Sequence, residues 1–249
     1  MQIRRFYAPS LEADAATVLL SENESQHALR VLRLKPGDRL RLLNGRGVVA
    51  EAELLSDSNG SRHPRQALCR VLEYTFQSHP FPELTLCVAP PHGKAFDLVL
   101  KAAVELGFAV IQPILCQYGV ARPEVISVNW LETLIAALKQ SQNPWLPELR
   151  KPQEFQTTLS ASRKDEVRGI FGASPAGEAT PHQAIPAITL PSIRQLWVGP
   201  EGGFAPGEEE ALLEAGMLPV TIGNCTLRVE TAVPALAGYL WGLQEGIKP

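Results

Sequence analysis

Two short segments in the last third of the chain concentrate the residues that could hold a ligand. The first is the run Gly199-Pro200-Glu201-Gly202-Gly203-Phe204. Glycine lacks a Cβ, so such a run permits positive φ angles, which we expect at Gly202, and lets a ligand approach the backbone closely. The run contains neither the G-K-[ST] of a Walker A loop nor a G-x-G-x-x-G dinucleotide fingerprint. A phosphate role is therefore not indicated, and the alternative is a turn that only connects two elements.

The second segment is Ile222-Gly223-Asn224-Cys225-Thr226-Leu227-Arg228-Val229-Glu230-Thr231-Ala232. Thr231 could cap a helix and Glu230 would sit near its positive end, which are purely structural roles. Each of the two segments, however, follows a predicted strand and precedes a predicted helix. Open α/β sheets bind ligands at the carboxyl ends of their strands, so the two loops together predict one ligand crevice.

The elements that must position these loops follow from the alternation of strand-like and helical runs that begins at Leu84, which is typical of an α/β domain with a mostly parallel sheet. The predicted strands are residues 84–89, 110–115, 169–173, 196–198 and 220–222. The predicted helices are residues 96–106, a helix capped by Ser127, residues 208–215 and residues 231–243, the last with Pro234 in its first turn.

The amino-terminal part of the chain has a different pattern, which is rich in short strand-like runs and turn signals. Strand-like runs at residues 39–43 and 48–54 flank an Asn44-Gly45 turn, which predicts a small β-barrel. Two prolines in residues 77–82 mark the boundary, so we expect one domain at 1–76 and a second at 77–249. The stretch from Ala28 to Arg46 contains six cations and only one acid, Asp38; the cations are Arg30, Arg33, Lys35, Arg39, Arg41 and Arg46. Such a cluster could neutralise phosphates, and the alternative is a solvated strand face.

Composition excludes several classes of protein. With 249 residues, of which 45% are hydrophobic and 20% charged, the chain is typical of a globular protein rather than a disordered one. It has no run of about 20 apolar residues and no apolar leader at its start, so we expect no membrane association and a cytoplasmic location. Its four cysteines form no C-x-x-C pair, and its histidines lack metal-ligand spacing, so we expect no metal site.

The two loops together resemble the RsmE branch of the SPOUT-superfamily RNA methyltransferases, in which a G-P-E-G-G loop is followed some twenty residues later by an L-R-x-E-T-A motif. The resemblance extends to Arg4-Arg5-Phe6-Tyr7 and to residues 27–33 at the amino end. It implies an α/β fold in which a trefoil-knotted SPOUT methyltransferase domain follows a PUA-like RNA-binding barrel. It also implies S-adenosyl-L-methionine (AdoMet) as cofactor, a homodimer, and methylation of uridine N3 in small-subunit (16S) ribosomal RNA or the assembled small subunit.

The resemblance also assigns site residues by position. The cofactor would lie against Gly199, Pro200, Gly202, Ile222, Gly223, Leu227 and Thr231, with residues 171–175 as a third wall. Glu201 would take the N3 proton and Arg228 would stabilise negative charge on the pyrimidine oxygens. The alternatives are that Glu201 only braces its loop and that Arg228 only pairs with Glu230. Phosphate contacts would come from Arg4, Arg5, Arg30, Arg33 and Arg41.

The sequence departs from the family pattern at two places. No arginine follows Pro113 until Arg122, and an A-x-E-Q-S-x-R pattern becomes Ala137-Leu138-Lys139-Gln140-Ser141-Gln142-Asn143. The cofactor loops are better preserved than these segments. Two alternatives therefore remain open: an RNA-binding or ribosome-assembly protein with this fold and little or no methyl transfer, and a methyltransferase that acts on another RNA.

Overall fold

The structure is a computed structural model that describes residues 3–55, 66–80, 84–164, 168–173 and 193–245. The chain divides into two compact units. The first comprises Met1–Pro80 together with Ile135–Leu146, and the second comprises Phe81–Leu134 together with Pro147–Pro249. Within the described ranges, no helix is long and apolar enough to cross a membrane.

The first unit is built on a five-stranded sheet with the strand order β1-β3-β4-β5-β2. Its elements are β1 (Arg4–Tyr7), β2 (Thr17–Leu19), α1 (Glu22–Gln26), a π-helical turn (His27–Val31), β3 (Arg39–Leu43), β4 (Val48–Leu54) and β5 (Leu68–Phe76). β1 and β3 are parallel, and the other pairs are antiparallel. Alternate apolar side chains such as Leu40, Leu42 and Ala50 are fully buried, which is the period-two pattern of a strand with one covered face.

The predicted hairpin in this unit is confirmed. Gly45 has a φ of 77°. The Asn44 side-chain oxygen accepts hydrogen bonds from the Arg46 N–H at 2.7 Å and the Val48 N–H at 3.0 Å. The turn therefore depends on the hydrogen bonds that the Asn44 side chain accepts and on the positive φ of Gly45.

The second unit contains a parallel sheet with the order β12-β10-β11-β6-β7-β8, with β9 paired to β7. The strands are β6 (Thr85–Val88), β7 (Val110–Leu115), β8 (Glu148–Leu149), β9 (Gln153–Glu154), β10 (Arg168–Gly172), β11 (Ile193–Val198) and β12 (Leu218–Val220). The helices are α2 (Ala95–Glu105), α3 (Val128–Ser141), α4 (Phe155–Lys164), α5 (Pro206–Glu214) and α6 (Val229–Glu245), and α3 contributes residues to both units.

Three predictions about elements of this unit need correction. The strand predicted at residues 220–222 ends at Val220, so Thr221 and Ile222 belong to the loop. Helix α6 begins at Val229, two residues early, which places Thr231 inside the first turn instead of at the cap and Pro234 in the second turn. Helix α4 was missed because its apolar face is narrow, with Phe155 and Leu159 as its buried apolar residues. Thr158 and Ser162 are also buried, and each hydroxyl donates a hydrogen bond to the carbonyl four residues earlier.

Candidate active site

A pocket of about 610 Å³ lies in the second unit, at the carboxyl ends of the neighbouring strands β12, β10 and β11. The loops that follow β11 and β12 contribute to its lining, as do Gly172 and Ala173 at the end of β10 and one side of α6. The lining residues are Gly172, Ala173, Val198, Gly199, Pro200, Glu201, Gly203, Val220, Thr221, Ile222, Cys225, Thr226, Leu227, Val229, Ala232 and Leu236. Parallel strands end at the same edge of a sheet, which explains why segments distant in sequence meet here.

The structure brings together five of the nine residues predicted for cofactor binding and catalysis. The lining contains Gly199, Pro200, Glu201, Ile222 and Leu227. Gly202, Gly223, Arg228 and Thr231 are sequence neighbours of lining residues but do not themselves line the pocket. The third predicted wall, residues 171–175, contributes Gly172 and Ala173, whereas Ser174 and Pro175 lie outside the described residues.

Sequence reasoning missed the wall that α6 supplies. Val229, Ala232 and Leu236 line the pocket, and Ala232 and Leu236 are four residues apart on one helical face. That spacing was visible in the sequence, but the same spacing is typical of an ordinary buried helix face. The sequence alone therefore did not indicate that this face of α6 lines a pocket.

The glycine-rich loop turns at a different residue from the one expected. The positive φ is at Gly203, with a value of 76°, and the prediction for Gly202 was wrong. The Gly203 N–H donates to the Pro200 carbonyl at 2.8 Å, which closes a tight turn. Gly202 is required for another reason, because a Cβ there would lie 3.2 Å from the Tyr118 Cβ.

Glu201 is the only charged side chain among the described residues that line the pocket. Its Oε1 accepts a hydrogen bond at 3.0 Å from the His92 N–H in the loop that follows β6. Glu201 therefore does brace its loop, by linking it to the loop that follows β6. The second oxygen, Oε2, receives no hydrogen bond from a described residue, so the carboxylate retains an acceptor for an incoming proton.

Arg228 immediately precedes α6 and has an exposed side chain. Its carbonyl accepts hydrogen bonds from the Thr231 N–H at 2.9 Å and the Ala232 N–H at 2.7 Å, so its backbone starts the helix. The alternative role predicted for its side chain, an ion pair with Glu230, is not observed. Arg228 forms no ion pair with any residue in the described part of the chain.

A single buried carboxylate links the glycine-rich loop to the turn that follows β7. Glu208 is 8% exposed and accepts hydrogen bonds from the Ala205 N–H and the Gln117 N–H, both at 2.8 Å. Both contacts join a charged acceptor to a backbone donor, which makes them stronger than neutral hydrogen bonds. A favourable charge at the start of α5 is therefore only part of the role of Glu208.

Arg122, the first arginine after Pro113, supports the same turn. Its Nη1 donates to the Cys116 carbonyl at 3.1 Å, and its Nη2 pairs with Glu154 at 3.0 Å. Together with Glu208 and Gln117 these residues border a second, open pocket of about 720 Å³ at the end of β7.

The cysteines differ sharply in environment. Cys69, Cys87 and Cys116 are buried, and burial raises the pKa of each thiol, that of Cys69 to about 12. Cys225 is exposed and lines the pocket. In the ranges that the structure describes, no group of three or more His, Cys, Asp or Glu residues could hold a metal ion.

The arginines predicted to contact RNA lie in the first unit and differ in availability. Arg4, Arg30 and Arg33 are exposed. Arg41 is half-buried, and its Nε donates to Glu51 at 2.7 Å. Arg5, which is next to Arg41 in the β1–β3 register, has a buried Nε that forms no hydrogen bond with a described residue.

Comparisons with known proteins agree over almost the whole chain. The sequence model of the RNA methyltransferase domain matches residues 77–241, and that of the RNA methyltransferase PUA domain matches residues 20–61. The ribosomal RNA small subunit methyltransferase E of Synechocystis is 28% identical over 232 residues, which cover 92% of this chain and 74% of the relative. The protein of the same name from Aquifex aeolicus is 27% identical over 232 residues, covering 90% and 93%.

Solved structures give the same picture. The crystal structure of a ribosomal RNA small subunit methyltransferase E from Neisseria gonorrhoeae bound to S-adenosyl methionine matches with a TM-score of 0.82 and 28% identity, over 97% of this chain and 98% of that chain. A probable rRNA-methyltransferase from Porphyromonas gingivalis matches with a TM-score of 0.80 and 29% identity, over 99% and 100%.

Proposed function

Since this chain belongs to the RNA methyltransferase family whose α/β catalytic domain is joined to a PUA domain, we propose that it transfers the methyl group of AdoMet to N3 of a uridine in small-subunit ribosomal RNA. The observation that carries the proposal is the pocket at the ends of β10, β11 and β12, into which both signature loops converge. Because ribosomal RNA is its substrate, we expect the protein to act in the cytoplasm.

The chemistry of the pocket fits AdoMet. Its apolar walls, from side chains such as Val198, Ile222 and Leu236, suit an adenine ring, and its irregular loops offer backbone donors and acceptors. Among the described residues that line it, Glu201 alone is charged, and its negative sign suits a sulfonium cation.

Bound AdoMet supplies an electrophilic methyl group. Glu201 holds its carboxylate at the rim through the His92 N–H and takes the N3 proton on its remaining oxygen. Arg228, whose exposed guanidinium forms no ion pair with a described residue, stabilises the negative charge that develops on the pyrimidine oxygens. The rigid loops hold the reacting groups close together, which lowers the entropic part of the barrier.

Two further features of this proposal concern topology and assembly. The crossed order β12-β10-β11 in the sheet supports a trefoil knot around the pocket, which an experimental chain trace from β10 to α6 tests. Exposed apolar side chains support a homodimer whose interface completes the site, since Val120, Val125 and Val128 are about 70% exposed. Sedimentation analysis of the purified protein tests that assembly.

Substrate recognition is divided between the two parts of the chain. Residues 1–76 form the RNA-binding domain and residues 77–249 form the methyltransferase domain. The exposed Arg4, Arg30 and Arg33 contact backbone phosphates. Arg41 contributes less than its charge suggests, because Glu51 already pairs with it. Arg5, which is partly exposed and has a buried Nε, contributes less to this contact than the exposed arginines.

The decisive experiment is to delete the gene in its host and to map modified nucleotides in ribosomal RNA. We expect the loss of one N3-methyluridine and its return with the wild-type gene. Leu227→Arg places a cation in the pocket and should not restore it, whereas the control Leu213→Arg alters an exposed leucine of α5 and should. An unchanged modification map would favour a role in ribosome assembly, and the loss of a mark elsewhere would indicate another RNA.

A further inference from the structure

Tyr118 is an exposed aromatic residue at the edge of the cofactor loop. It follows β7 and lies against Gly202, where an added Cβ would be 3.2 Å from the Tyr118 Cβ and 3.8 Å from its Cγ and Cδ2. The next residue toward the pocket, Glu201, lines it. Tyr118 therefore lies against the loop that carries Glu201, and it is 46% exposed.

The backbone around Tyr118 is anchored on both sides. The Gln117 N–H donates to Glu208 at 2.8 Å, and the Gly119 N–H donates to the Cys116 carbonyl at 3.1 Å. Arg122 donates to the same carbonyl at 3.1 Å. Because Glu208 also holds the Ala205 N–H, the turn and the glycine-rich loop are fixed to one carboxylate.

An aromatic side chain on such a turn usually packs into the core, where it gains most from burial. Tyr118 does not, although its backbone is held in place. Its hydroxyl makes no hydrogen bond to a residue in the described ranges, so the side chain has no evident structural duty. An exposed ring on an anchored backbone is suited to stack against another flat group with less loss of conformational entropy than a ring on a mobile loop.

We propose that Tyr118 is the platform on which the target base stacks while N3 faces the methyl donor, an inference that rests on the proposed function. An enzyme that modifies a base must take it out of its stack, and an aromatic face compensates for part of the lost stacking. Because Tyr118 adjoins Gly202 in the loop that carries Glu201, a pyrimidine stacked on its ring would lie on the side of the site where that carboxylate takes the proton. The anchors at Cys116 and Gln117 keep the platform at a constant distance from the loop.

The test compares Tyr118→Ala and Tyr118→Phe with wild type in single-turnover methyl transfer to small subunits from a strain that lacks the gene. Base–aromatic stacking corresponds to about 5- to 150-fold per base, so Tyr118→Ala should lower kcat/KM by that factor. Tyr118→Phe keeps the ring and should stay within about twofold of wild type. AdoMet affinity by calorimetry should be unchanged in both variants, because Tyr118 does not line the pocket.

Tyr74→Ala is the matched control, since Tyr74 is 47% exposed but belongs to β5 of the first unit. It should transfer methyl groups at the wild-type rate when the RNA is saturating. A Tyr118→Ala protein with wild-type kcat/KM overturns the inference alone, as does a Tyr118→Phe protein as impaired as Tyr118→Ala. If wild type itself transfers no methyl group to this RNA, the proposed function fails and the inference falls with it.

Discussion

Replacing Gly203 with alanine isolates the backbone conformation of the glycine-rich loop from every steric effect. Gly203 has a φ of +76°, and an added Cβ would meet nothing within 4 Å. An L-residue in this left-handed conformation costs about 1–2 kcal/mol because its Cβ approaches the following carbonyl oxygen. The whole effect of Gly203→Ala is therefore expected to be of this size.

That free energy can appear in either of two measurements. If the substituted alanine keeps the left-handed conformation, the free energy of unfolding falls by about 1–2 kcal/mol. If the loop relaxes instead, one wall of the pocket moves, and AdoMet binding weakens by about 5- to 30-fold, since about 1.4 kcal/mol corresponds to a factor of ten. Urea unfolding measures the first and isothermal calorimetry the second.

Gly216→Ala is the control, because Gly216 has the same geometry away from the pocket. Its φ is +77°, an added Cβ would again meet nothing within 4 Å, and it follows α5 without lining the pocket. It should lose about 1 kcal/mol of stability and keep its AdoMet affinity. The reasoning is refuted if Gly203→Ala matches wild type in both measurements, or if Gly216→Ala weakens AdoMet binding equally.

Four other outcomes follow from the site. Of the four thiols, only that of Cys225 should react with iodoacetamide in the folded protein at pH 8, and AdoMet should protect it; labelling that AdoMet leaves unchanged would contradict the pocket. Glu208→Gln should lower the free energy of unfolding in urea by about 1–3 kcal/mol, through the loss of charged acceptors, whereas the exposed control Glu210→Gln should change it by less than about 0.5 kcal/mol. Arg228→Ala should slow single-turnover methyl transfer by about 100-fold with a smaller change in RNA affinity, and a wild-type rate would remove Arg228 from the mechanism. Arg30→Gln should flatten the dependence of log RNA affinity on log salt by slightly less than one unit, while an unchanged slope would make Arg30 a solvated surface cation.

The sequence was sufficient for some features that depend on neighbouring residues, although not for the start of α6 or for α4. The hairpin around Asn44 and Gly45 was predictable because turn chemistry is local, and β7 was predictable from its bounded apolar run. The α/β methyltransferase fold with its PUA-like domain is confirmed, and it was named through motif resemblance and not through periodicity.

The features that escaped prediction are made by residues far apart in the chain. The contact of Glu208 with Gln117 spans 91 residues, and that of Glu201 with His92 spans 109. No local sequence pattern predicts such a pair, because each partner can be explained by an ordinary local role, such as a charge at a helix start. The positive φ predicted at Gly202 instead of Gly203 has another cause. Both glycines can adopt a positive φ, and only the tertiary packing determines which of them does.

The strand order has a consequence for how the chain folds as it is synthesised. Both sheet neighbours of β10, namely β11 and β12, are made after it, and β11 separates it from the earlier strand β6. β10 therefore emerges from the ribosome with no earlier strand to pair with, and it gains its second neighbour only when residues 218–220 appear. Unpaired strand edges make folding intermediates prone to aggregate. We expect chains that stall between β10 and β12 to depend on chaperones more than chains that stall earlier, within the β6–β7 region.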